Sequence, residues 1–151
     1  MSDELTRRQT ALIKESFVFV SADGRIASLF YARLFHDNPH LKDLFEPDLG
    51  PLKIKFAETL SIVVDHAAKL DEIGGEIEEL GRKHVEFLVK DSDYSPTGEA
   101  LIWALQLVHG DDWTYELETA WRKAYRLIVD RMLEGARKER VYRSYQAKLA
   151  S

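Results

Sequence analysis

The sequence predicts an all-α fold of about seven or eight helices. Three observations carry that expectation. Apolar residues recur at spacings of three and four through nearly every stretch of the 151-residue chain. Valine and isoleucine are scattered along those stretches and are not gathered into alternating runs. Clusters of Gly, Pro, Asn and Asp interrupt the pattern at Ala22-Asp23-Gly24, Asn38-Pro39, residues 46–51, Gly74-Gly75, residues 90–96 and His109-Gly110-Asp111-Asp112.

Taken in order, Ser2 or Asp3 can cap the first helix, with acids in its opening turn. Leu5, Leu12, Ile13, Phe17 and Val20 mark its inner face to about Val20. A second helix is expected over 25–37, with Ile26, Leu29, Phe30 and Leu34 on one side and Tyr31 and Phe35 beside them. Asn38-Pro39 ends it, because proline cannot continue a helix. A short helical turn over 40–45 and a loop over 46–51, rich in proline and glycine, come next. The helix expected over 52–69 aligns Phe56, Leu60, Val63, Ala67 and Leu70. After Gly74-Gly75, the residues Ile77, Leu80, His84 and Phe87 or Leu88 share one helical face. Residues 90–96 are polar and read as a loop with Tyr94 in its middle. Residues 97–108 turn Ala100, Leu101, Ala104, Leu105 and Val108 inward. An Asp of the following turn is placed to cap a last helix that starts near Trp113, carries Leu117, Trp121, Ala124 and Ile128 inward, and runs past Met132.

Composition narrows the function classes. The chain is 45% hydrophobic and 31% charged, which suits one globular domain over 1–151. Residues 136–151 form a basic C-terminal extension of the last helix, read as a solvated or frayed end in preference to an anion-binding patch. With 21 basic and 26 acidic side chains the net charge is −5, which argues against a nucleic-acid partner. No cysteine is present, so disulfides, thiolate ligands and a cysteine nucleophile are excluded. No apolar run reaches the length of a membrane span, so no membrane partner is expected. The N-terminus, Met1-Ser2-Asp3-Glu4, has no signal-peptide core, so a cytoplasmic location is expected. Nothing in the sequence fixes the oligomeric state.

His84 is the residue whose placement asks for an explanation. It lies in line with apolar neighbours, and an imidazole aimed inward needs a partner. Two readings stand: a core histidine bonded to a backbone carbonyl, or an axial ligand to a haem iron. In the second reading one ring nitrogen binds iron and the other can reach a carbonyl one turn back, near Leu80. His36 and His40 flank the Asn38-Pro39 corner and look exposed, and His66 lies on the polar side of its helix. His109 ends a helix, where an imidazolium would suit the dipole. No Ser-His-Asp set or paired-carboxylate site stands out.

Four segments carry a resemblance to a known family: Leu29-Phe30-Tyr31-Ala32-Arg33-Leu34-Phe35 with Asn38-Pro39 and Leu44-Phe45 after it; the stretch 52–70; Leu80-Gly81-Arg82-Lys83-His84; and Ala120-Trp121-Arg122-Lys123-Ala124-Tyr125. In this order they resemble the globins, specifically bacterial single-domain globins and the haem domains of flavohaemoglobins, over about residues 5–135. The resemblance implies a haem b pocket with His84 as the proximal ligand. It implies Phe45 packed on the haem plane, Tyr31 as a distal hydrogen-bond donor, and Tyr94 near the proximal histidine. A gap-free count places Leu52 where the family keeps a distal glutamine or histidine, with Lys53 in its place if the preceding loop shifts by one. The same count puts Phe56 at an aliphatic pocket position, Lys55 on the rim where it can meet a haem propionate, and Ala136 where flavohaemoglobins place a glutamate, two residues past Glu134. The implied function is reversible binding of oxygen, nitric oxide or carbon monoxide on iron. Nitric oxide dioxygenation with a separate reductase, or a haem-based gas or redox sensor, stands as the alternative. The chain stops at Ser151 and holds no glycine-rich phosphate loop, so any reductase is expected to be a separate protein.

Overall fold

The computed structural model describes residues 4–86 and 89–150, and among these no strand occurs. Seven α-helices follow in order: α1 (Arg7–Asp23), α2 (Ile26–Asp37), α3 (Pro39–Lys42), α4 (Gly50–Asp65), α5 (Gly74–Glu86), α6 (Tyr94–His109) and α7 (Tyr115–Ala150). Turns of 3-10 helix at Ala67–Ile73, Asp91–Asp93 and Gly110–Asp112 join them. The all-α class and the helix number agree with the sequence. Phe87 and Leu88, placed on the inner face of α5 from their spacing, lie outside the described residues.

Helix ends depart from the expectations for identifiable reasons. Ser2 and Asp3 lie outside the described residues, and the cap of α1 is Thr6. Its hydroxyl accepts from the Gln9 amide at 3.0 Å while the Gln9 side chain accepts from the Thr6 amide at 3.0 Å. This reciprocal pair satisfies two orphan donors, and the opening turn carries no acid. α1 runs on to Asp23, where Gly24 adopts a left-handed φ of 81° that closes the helix. α4 begins inside the expected loop: Asp48 accepts from the Gly50 amide at 2.9 Å, and Pro51 sits in the first turn, where its missing N–H is no loss. The stretch expected as one helix over 52–69 ends at Asp65 and continues as a 3-10 turn with Lys69 at φ −145°, ψ 66°. Gly74-Gly75 opens α5 instead of interrupting the chain before it. Residues 90–96 are not a loop: Asp93 accepts from the Lys90 amide at 2.9 Å, and α6 starts at Tyr94. Neither Asp111 nor Asp112 caps the last helix, because they form a 3-10 turn of their own; Thr114 does, its hydroxyl accepting from the Leu117 amide at 3.1 Å.

The main core gathers Ile13 and Val20 of α1, Phe30 and Leu34 of α2, Ala104 and Leu105 of α6, and Ala120 and Trp121 of α7, all buried. A second cluster, with Val63, Ile73, Ile77, Tyr94 and Met132, lies at the foot of α5. α5 packs chiefly on α7, whereas α4 packs on α1 and α2. The backbones of α4 and α5 meet slightly at most, so two walls face different supports. No described helix is long and apolar enough to cross a membrane.

Candidate functional site

The predicted site residues fall into two groups, one on each wall. The first is aromatic. α2 brings Tyr31 inward, the corner after α3 supplies Phe45, and α4 supplies Phe56. The Tyr31 ring lies 6.0 Å from Phe45 and 5.9 Å from Phe56, with Phe30 at 4.9 Å and Phe35 at 5.9 Å. Phe56 stacks on Phe30 at 4.5 Å. Aromatic edges and faces at these separations hold one another in place. Leu52, one turn before Phe56, is half-buried and packs on the same core.

Tyr31 is 7% exposed, yet its hydroxyl has no hydrogen-bond partner among the described residues. No sealed side-chain nitrogen or oxygen lacks a partner among them, so this hydroxyl opens on space. Burial pushes its pKa up to about 12, which keeps the proton on the phenol at neutral pH. A buried donor with no protein acceptor is a group waiting for one.

The second group surrounds His84 on α5. Its Nδ1 lies 2.7 Å from the Leu80 carbonyl, one turn back along the helix. A carbonyl only accepts, so Nδ1 carries the proton and Nε2 is left with its lone pair. Burial lowers the His84 pKa, with the Leu80 bond opposing it, so the neutral ring is favoured. The Tyr94 ring lies 6.2 Å from the imidazole at an interplanar angle of 29°. Tyr94 is itself buried, and burial raises its phenol to about 12.

The remaining positions are placed as follows. Lys55 is exposed on α4, and Lys53 is half-buried. Ala136 is 1% exposed on α7, and Glu134 turns to the surface, where it pairs with Arg137 at 2.6 Å. His36 and His40 are exposed, as expected. His66 bonds the Ile62 carbonyl at 2.9 Å. His109 is not a solvated imidazolium: burial lowers its pKa, and its Nε2 lies 2.6 Å from Ser16 Oγ. No cluster of His, Cys, Asp and Glu suited to a metal ion occurs among the described residues.

Sequence reasoning missed Tyr125 and Asp93. The Tyr125 hydroxyl donates to the Tyr94 carbonyl at 2.5 Å, anchoring the start of α6 beside His84. A Cβ on Gly98 would lie 2.6 Å from the Tyr125 ring, so that glycine admits it. Asp93, 7% exposed, ties down the Lys90 amide immediately before Tyr94. The polar Asp91-Ser92-Asp93 run with Pro96 soon after it was the available signal for a helix start.

The donor set suits a haem: a neutral imidazole with one uncommitted nitrogen on one wall, and aromatic packing with an unpartnered phenol on the other. Cavities of about 340 and 20 Å³ lie elsewhere, the smaller beside Tyr125, and neither is lined by Tyr31, Phe45, Phe56, His84 or Tyr94. The first is a surface hollow between Leu5, Ala67, Leu70 and Arg131.

The family model described as Globin matches residues 28–132. The flavohemoprotein of Oceanobacillus iheyensis is 32% identical over 130 residues, which are 83% of this chain and 32% of that protein. The chain thus spans about a third of the length of that relative. A bacterial globin of Campylobacter jejuni aligns with a TM-score of 0.78 at 21% identity, covering 88% of this chain and 97% of the other. An engineered carbene transferase from Rhodothermus marinus aligns with a TM-score of 0.80 at 23% identity, covering 95% and 99%.

Proposed function

This chain belongs to the globin family, a haem-binding family, and from that premise we propose that it holds haem b between α4 and α5 and takes oxygen or another diatomic gas. The observation that carries the reading is the His84 tautomer. The 2.7 Å bond from Nδ1 to the Leu80 carbonyl orients the ring and leaves Nε2 as the ligating nitrogen. When bound, the haem would supply an iron centre able to take a diatomic gas.

The chain's own residues do the rest. Phe45 and Phe56 give the macrocycle an apolar wall and keep water out. Tyr31 presents a phenol proton to the ligand side, where no acceptor among the described residues competes for it. Leu52 adds bulk without a hydrogen bond. Lys55, exposed on α4, would meet a propionate at the rim. Tyr94 limits the swing of the His84 ring, and Tyr125 fixes Tyr94 in turn. Ala136 puts no carboxylate on the proximal side, so His84 is no stronger a donor than its carbonyl bond makes it. Reducing equivalents come from a partner reductase, and the cytoplasm is the expected site of action.

Reconstitution with haem tests the proposal. His84→Ala is expected to lose haem, or to hold it weakly with an altered ferrous–carbonyl spectrum. Normal occupancy with an unchanged spectrum would overturn the ligand assignment. Turnover of nitric oxide with a supplied reductant separates a dioxygenase from a carrier.

A further inference from the structure

α7 extends well past the part of it that packs. Met132, Gly135 and Ala136 are its last buried residues, and everything from Arg140 to Ala150 is exposed. The Globin match ends at residue 132, so this segment lies outside it. Val141, Tyr145 and Leu149 follow one another at intervals of four, with Tyr142 alongside, and they are 59%, 60%, 65% and 55% exposed. At about 100° per residue this stripe lies roughly a third of a turn from the face that meets α5. No described residue covers it.

The charge is as uneven as the polarity. Residues 137–150 hold five basic side chains and one acidic one, a net of +4, while the rest of the chain holds 16 basic and 25 acidic, a net of −9. Arg137, Lys138, Arg140 and Arg143 meet Glu134, Glu78, Asp91 and Glu139. The basic partner is exposed in each pair, while Glu78 and Glu139 are partly covered, and ion pairs at the surface are displaced readily by salt and competing anions.

We propose that the exposed apolar stripe of the C-terminal helix, with its basic flanks, docks the protein on an anionic lipid surface. Tyrosine suits that boundary, with an apolar ring and a wet hydroxyl. Val141 and Leu149 enter the acyl edge while the cations meet headgroup phosphates. A second copy is a poorer occupant: pairing tail to tail sets +4 against +4, and four side chains fall well short of the roughly 1,200 Å² that a stable interface buries. The acidic body does not prevent docking. Ten residues beyond Arg140 reach about 15 Å, farther than the roughly 8 Å over which charges act at physiological salt. This inference is independent of the haem reading.

Sedimentation of the full chain with vesicles tests it. Binding is expected to vesicles of phosphatidylcholine mixed with phosphatidylglycerol, and not to pure phosphatidylcholine. It should weaken at least tenfold in 0.5 M salt, or about a decade or more in the double variant Tyr145→Ser, Leu149→Ser. Both positions are exposed, so the variant keeps its fold, which its circular dichroism checks. Equal binding by wild type and variant, or none to the anionic vesicles, overturns the proposal. So does self-association in sedimentation velocity that the variant abolishes, which would make a second copy the occupant.

Discussion

Gly81 of α5 lies directly against the Met132 carbonyl of α7: a Cβ at position 81 would stand 2.0 Å from that oxygen. The relation is reciprocal, since a Cβ at Gly135 would stand 2.0 Å from the Glu78 carbonyl. Backbone thus meets backbone where α5 crosses α7, one turn before His84. Alanine favours a helix over glycine by about 1 kcal/mol. Here the clash is with main chain, so the helices must separate, and overpacking of this kind costs about 1–3 kcal/mol. Gly81→Ala is therefore expected to lower stability and to loosen haem retention. Gly74 is the control, because its Cβ would meet only the Arg131 guanidinium, which can swing away. Urea midpoints of the two variants decide: Gly74→Ala near wild type, Gly81→Ala clearly below it.

Ser16 and His109 predict a pH dependence. The Trp121 indole donates to Ser16 Oγ at 3.0 Å, so Ser16 has its own proton free to give to His109 Nε2 at 2.6 Å. Ser16 is 4% exposed, and Phe19 stacks on the imidazole at 5.1 Å. Protonating His109 would take away the acceptor of the Ser16 proton and put a charge in a half-buried site. Burial holds its pKa below the ordinary 6.5, with Asp112 opposing the shift. The unfolded chain then binds the proton first, so the contribution is full above pH 6.5 and is lost as pH falls through and below that value. His109→Gln should give a shallower decline in urea midpoint between pH 7.5 and 5.5. The His84 pKa is lowered too, so the difference between the two proteins is the quantity to measure.

Tyr125 is the third test. Its hydroxyl bond to the Tyr94 carbonyl spans from α7 to α6, and its pKa is raised by burial. Tyr125→Phe keeps the ring and removes one hydrogen bond, so a loss of about 1 kcal/mol is expected from denaturant unfolding. No change would mean that water replaces the hydroxyl without cost.

How far the sequence revealed this depended on the kind of signal. Leu60, Val63, Leu101, Leu105 and Trp121 are inward in the structure because burial and period 3.6 express the same physics. Helix ends were less legible. Gly74-Gly75 looked like a break, but a glycine opening α5 makes room for Arg131, which is 57 positions away in sequence. Tyr94 looked like a loop residue because Asp91, Ser92 and Asp93 beside it are polar, yet Asp93 is a buried anchor for the turn. Tyr125 was seen as part of a motif but not as a prop, since its acceptor is a backbone carbonyl that no residue type announces.

The last prediction concerns Tyr31. Its ring is held by four phenylalanines, and its hydroxyl has no partner among the described residues. Tyr31→Phe therefore keeps the packing and breaks no protein hydrogen bond, so the stability of the haem-free chain should hardly move. The effect should appear only with a ligand that accepts a hydrogen bond. In a dry site such a bond is worth about 1–3 kcal/mol. At about 1.4 kcal/mol per decade this is on the order of 10-fold to 100-fold in affinity. Oxygen release from the reconstituted protein should then speed up by about a decade or more, while release of the less polar carbon monoxide changes little. Stopped-flow rates for both gases, read beside urea midpoints of the haem-free proteins, check the two halves of the claim. An unchanged oxygen rate would leave half-buried Lys53 or a water as the donor; a large loss of haem-free stability would mean that the hydroxyl serves the fold and not the ligand.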